Sequence, residues 1–185
     1  MYNIIILNHF YGYPELEDEF INKQRYAKLL KLVNIANRNK TIFLENDVSK
    51  KDKRLASIRK ISEVYGHKWL DFKDNHTIKD IYKIIQNLCG ISINPENSKI
   101  ILGGTNTSGC LLRSANIAAK NWAKLNYNVQ FCLSMCGEYE IDGVNSAEKN
   151  QMAASILYQF IKNNNFTNKI DAFYDPRELV INFNN

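Results

Sequence analysis

Apolar residues follow two alternating rhythms along this chain. Short unbroken runs, rich in β-branched residues, predict strands at Asn3–Leu7, Thr41–Leu44, Ile100–Leu102, Asn128–Leu133 and Ile170–Tyr174, with His67–Phe72 a shorter candidate. Between them, apolar positions return every three or four residues, which predicts amphipathic helices over about 17–37, 52–64, 77–88 and 146–163. After Leu102, Gly103-Gly104 predicts a turn and Thr107 or Ser108 a side-chain cap. Leu111, Ala115, Ala118, Trp122 and Leu125 then mark one face of a helix starting at about Gly109.

Strands alternating with helices predict an α/β fold: one Rossmann-like domain over residues 1–185, built on an open, mostly parallel six-stranded sheet with helices on both faces. Leu179, Val180 and Ile181, after Pro176, suit an edge strand or an arm for a partner. If the strand order is 3-2-1-4-5-6, it reverses between the first and fourth strands, and ligands of such sheets bind beyond the carboxyl ends at that reversal. Asn8 and His9 would then lie beside Gly103–Cys110.

Composition narrows the classes. At 185 residues the chain holds one domain with a substantial core. The net charge of +5 comes from Lys and Arg interleaved with acids, as in residues 50–60, which describes solvated faces and argues against nucleic acid as a partner. The apolar run Ile4–Leu7 is too short for a signal peptide or a membrane span, so a cytoplasmic protein without membrane association is expected. Four cysteines do not make a disulfide framework, and Cys132-x3-Cys136 has no second pair beside it. A reduced protein without metal or cofactor is expected.

Chemistry points to Cys110. A thiol in the first turn of a helix faces unpaired N–H groups and the positive end of the helix dipole, which favour a thiolate and can hold a developing oxyanion. Two rival roles fit the same residues. A free cysteine is often a small buried hydrophobe. A glycine-rich turn before a helix can also cradle phosphate, although no Walker lysine follows and the pattern is not G-x-G-x-x-G.

The stretch Gly104-Thr-Asn-Thr107-Ser-Gly-Cys110-Leu-Leu-Arg-Ser114-Ala115 resembles the signature of the isochorismatase-like cysteine hydrolases, G-x-x-T-x-x-C-V-x-x-T-A. Gly104, Thr107, Cys110 and Ala115 match identically; Leu111 and Ser114 are near matches. The resemblance implies Cys110 as nucleophile, a cis peptide at Thr105-Asn106, an aspartate base at the end of the first strand and a lysine near the third. The aspartate position holds Asn8, which accepts a hydrogen bond but is no useful base. His9 is the neighbouring candidate, provided the strand has ended before it. Lys68, in His67-Lys68-Trp69-Leu70-Asp71-Phe72, is similar to the family lysine, with Lys73 as alternative. Phe10, Tyr11, Gly104, Thr105, Asn106 and Gly109 would line the substrate pocket, to which Cys136 or Glu138 could add a wall. The nicotinamidase metal site would fall in Glu45–Lys51, which has no histidine, so the resemblance implies no metal. The expected function is hydrolysis of a C–N or vinyl-ether-type bond in a small metabolite by a homo-oligomer. The alternative is an altered member that binds or sequesters a small anionic or nucleotide-like ligand.

Overall fold

A computed structural model describes residues 1–10, 19–46, 52–105, 107–137 and 146–178. Six strands, β1 (Tyr2–Asn8), β2 (Thr41–Asn46), β3 (Lys68–Phe72), β4 (Ser98–Thr105), β5 (Asn128–Gly137) and β6 (Ile170–Phe173), form one sheet in the order β3-β2-β1-β4-β5-β6. Every neighbouring pair is parallel. The α-helices are α1 (Glu19–Ile35), α2 (Lys53–Val64), α3 (Ile78–Cys89), α4 (Ala119–Lys124) and α5 (Ser146–Asn163).

Strand alternation sorts the core into two layers. Ile5, Leu7, Phe43 and Ile101 face Leu29, Leu32 and Val33 of α1 and Leu55 and Ile58 of α2. Ile4, Ile6, Leu44, Leu102 and Phe131 face Ile81 and Ile85 of α3, Trp122 of α4 and Leu157 of α5. Helices therefore cover both faces, as the continuous apolar runs predict. Helix ends carry the matching signals: Asp52 caps α2 by accepting from the Arg54 N–H, and Thr77 and Asp80 form a reciprocal capping box on α3. Gly90 closes α3 in the left-handed region at φ 70°. No helix among the described residues is long and apolar enough to cross a membrane.

Three expectations are corrected. The chain does not turn at Gly103-Gly104, because β4 runs on to Thr105. The glycines serve close approach instead: a Cβ on Gly103 would press on Met135 Cε at 3.0 Å, and one on Gly104, whose φ is 119°, would overlap the Asn8 carbonyl of β1. The single helix from Gly109 to Leu125 is also replaced. Thr107–Ser114 is a π-helix, residues 115–118 break it, and α4 follows. The Ala115 N–H donates to the Cys110 carbonyl at 3.2 Å, five residues back. Leu111 and Leu112 are both buried, which suits the wider π turn better than a 3.6-residue period. In the break, the Asn121 amide donates to the carbonyls of Ala115 and Asn116, and the Trp122 indole to that of Ile117. Nor is Thr107 a cap, since its hydroxyl donates across to the Gly137 carbonyl at 3.1 Å. The proposed edge strand at 179–181 lies outside the described residues.

Candidate functional site

Parallel register aligns the carboxyl ends of β1, β2 and β4, and the order reverses between β1 and β4. Asn8, the last residue of β1, pairs in register with Gly104 of β4, and the helix that follows β4 carries Cys110 as its fourth residue. Cys110 is half-buried and outside any disulfide.

His9 has left the strand. Its φ of 46° is left-handed, an uncommon conformation for a residue with a side chain, and two bonds hold it. The Thr105 hydroxyl of β4 donates to the His9 carbonyl at 2.8 Å, and His9 Nε2 lies 2.8 Å from Asp74 Oδ1. The condition under which His9 can take part at this edge, that β1 ends before it, is met. Asp74 sits just beyond β3 and also accepts from the Asn46 amide at the end of β2. The same amide donates to Asn8 Oδ1 at 3.3 Å. Asn8, Asn46, Asp74 and His9 thus form one hydrogen-bonded chain across the exits of β1, β2 and β3. It grades from buried at Asn8 and Asn46 to exposed at Asp74.

Arg25 of α1 underlies the β4 and β5 side of this edge. It is 1% exposed, its Nη1 donates to the Phe10 carbonyl at 3.3 Å, and its guanidinium lies 5.9 Å from the Phe10 ring centre. A side chain at Gly137 would collide with that guanidinium. Phe10 is wholly buried, so it floors the edge and does not present a free face to a ligand.

The remaining expected residues divide by position. Lys68 opens β3 in register with Ile42, at the amino end of the sheet, and is exposed beside Cys89 of α3. The structure does not bring it to Asn8. Lys73 follows β3 at the carboxyl end, next to Asp74, and is exposed; its N–H donates to His76 Nδ1 at 3.2 Å. Thr105 is buried and Gly109 half-buried at the edge. Cys136 is buried, with Sγ 3.7 Å from the Leu102 carbonyl. Tyr11, Asn106 with the Thr105-Asn106 peptide, and Glu138 lie outside the described residues. The sequence does not single out Asn46, Asp74 or Arg25. Asn46 and Asp74 closely follow predicted strands, and that position is a signal; Arg25, in mid-helix, gives none.

The carboxylate Glu45 of β2, 1% exposed, belongs to a separate structural cluster. It pairs with Arg59 of α2 and accepts from the Trp69 indole at 2.7 Å, while Arg59 also reaches Asp71 at 2.9 Å. Among the described residues, no group of three or more His, Cys, Asp or Glu side chains is placed to hold a metal ion.

Among solved structures, the chain is similar to the MAR1 ribonuclease from Caenorhabditis elegans, with 11% identity over 95% of this chain and 78% of that one, at a TM-score of 0.48. No family model and no curated protein sequence matches it.

Proposed function

We propose that the carboxyl edge at the β1–β4 junction is the active site of a cysteine hydrolase acting on a small metabolite, with Cys110 as nucleophile and no resident metal or cofactor. The observation that supports this best is the His9–Asp74 pair, held at the exit of the strand that neighbours the one feeding Cys110. Asp74 accepts from His9 Nε2, which orients the imidazole and leaves Nδ1 as the proton acceptor, the arrangement a thiol nucleophile needs when Asn8 replaces the family aspartate. For an amide, Cys110 Sγ attacks the carbonyl carbon, and its proton passes through His9 to the leaving nitrogen. The C–N bond breaks and a thioester remains. Water then attacks the thioester and returns the proton to sulfur. Lys73 or Arg25 supplies the positive charge expected of Lys68.

A second function rests on Asn8 itself. Its buried amide is bonded to another amide, Asn46, which suits a pocket that holds a neutral or anionic ligand without turning it over.

Mass spectrometry of small molecules released from the purified protein identifies the ligand, and turnover is then followed in wild type, Cys110→Ala and His9→Ala. A hydrolase loses turnover in both variants. Site-resolved iodoacetamide labelling runs beside it: Cys110 should react first. Burial pushes the Cys89 thiol up, against a smaller opposing effect of Lys68, and pushes Cys132 up to about 11. Full turnover in Cys110→Ala ends the hydrolase proposal. A ligand retained unchanged by wild type and both variants establishes the binding protein, and Asn8→Asp is then the variant expected to start hydrolysis.

A further inference from the structure

The amino edge of the sheet, opposite the Cys110 edge, holds polar groups that the fold does not satisfy. Thr41, Asn3, Lys99 and Asn128 stand in one cross-strand row over β2, β1, β4 and β5, on the face covered by α1 and α2. Gln130 stands one step further along β5 on that face. Thr41 Oγ1, both side-chain polar atoms of Asn3, Lys99 Nζ and Gln130 Oε1 are buried without a hydrogen-bond partner among the described residues. Buried polar atoms in folded proteins nearly always have one, so five in a single patch mark a place that something else completes.

Lys99 is decisive because it carries charge. It is 4% exposed, and burial lowers its ammonium to about 8. A cavity of about 400 Å³ opens beside it, lined also by Asn128, Gln130, Lys169 and Asp171. Lys169, half-buried, and Asp171, exposed, are the other charged side chains there, and Met1 with its amino group also lines the cavity. A buried cation beside a cavity calls for an anionic partner. Gln130 Oε1, which only accepts, calls for an O–H or N–H on the same partner.

We propose that this cavity is a second ligand site, taking a small metabolite that carries a carboxylate or phosphate together with a hydrogen-bond donor. Lys99 Nζ binds the anionic oxygens and Gln130 Oε1 accepts from the donor. The site is independent of Cys110, since it lies at the other end of the strands.

Titration calorimetry on the full chain tests it, with inorganic phosphate and L-malate as probes. Malate brings both a carboxylate and a hydroxyl; phosphate brings the anion with its own O–H. Saturable one-to-one binding of either is expected, and the tighter probe tells carboxylate from phosphate. Lys99→Met should weaken binding by about tenfold or more, the loss of one charge-assisted bond. Gln130→Glu, which gives Lys99 an internal counter-charge, should abolish it as an independent second test. Cys110→Ala should bind as wild type does. The proposal is overturned if neither probe saturates below about 10 mM, or if both variants bind as tightly as wild type. A crystal structure grown with malate and phosphate that shows only ordered water on Lys99 Nζ would also end it.

Discussion

Replacing Lys99 by methionine should stabilise the protein at neutral pH and remove a specific segment of its pH dependence. Burial lowers the ammonium from 10.5 to about 8 in the fold. The unfolded chain therefore binds more protons between those values, and stability rises with pH through the window. Below pH 8 the full penalty stands. The shift corresponds to about 3 kcal/mol, at roughly 1.4 kcal/mol per unit. Three other groups interfere at higher pH, the first being Cys89, whose thiol is raised from 9.0 chiefly by burial, so that its contribution is lost as pH rises above 9. Cys132 is raised from 9.0 to about 11, chiefly by burial. Its neutral form is favoured in the fold, so its contribution is lost as pH rises above 9. Tyr127, also raised mainly by burial, adds a loss of the same sign above 10. The clean interval is pH 8 to 9, where Lys99 alone should raise wild-type stability by about 1 kcal/mol. Urea unfolding of wild type and Lys99→Met, in buffers free of phosphate and carboxylates, measures the difference at each pH. Lys99→Met should be more stable by up to about 3 kcal/mol at pH 7, with the gap closing towards pH 10. Parallel curves, or a variant less stable than wild type at pH 7, would show that Lys99 is not a desolvated cation in the fold.

Gly104→Ala should cost about 2 kcal/mol or more in urea unfolding, because it places a Cβ against the Asn8 carbonyl at a φ of 119°. Gly90→Ala, at φ 70° with open space around it, should cost less, and the reverse order would refute the close-approach argument. Burial lowers the His67 imidazole, against a smaller raising effect of its bond to the Val33 carbonyl at 2.9 Å. The folded state therefore favours the neutral ring, and stability present above pH 6.5 should fall as the solution is acidified below it. His67→Gln should lack that segment in thermal melts between pH 7.5 and 5.5, and coincident slopes would contradict the burial argument.

The sheet is legible in the sequence because its strands are short apolar runs with helical periods between them, and the reversal at β1–β4 follows once the order is known. What escapes the sequence depends on register and helix type. Lys68 looks like a site residue from its neighbours, yet its pairing with Ile42 places it at the wrong end of β3. The helical period carried through Leu111, Ala115 and Ala118 hides the π-helix, since the buried neighbours Leu111 and Leu112 fit a wider turn. Gly103-Gly104 suggests a turn because glycine serves turns and close strand approach equally well, and only the position of Asn8 and Met135 decides between them. The row of Thr41, Asn3, Lys99 and Asn128 is invisible for a related reason. Each residue reads as an ordinary strand start, and only cross-strand register brings them together.

The same register bears on Asn8. The Asn46 amide bridges Asn8 and Asp74, so the carboxylate of this network stands at the exit of β3, not of β1. A second carboxylate at position 8 would face Asp74 across the Asn46 amide, whose two N–H donors already serve both positions, and would bring two like charges together there. With an amide there, Asp74 keeps His9 to itself, and the ring is fixed from one side by its carboxylate and from the other, through the backbone, by Thr105. Asparagine at the end of β1 is therefore compatible with retained acid–base chemistry, provided the base is His9.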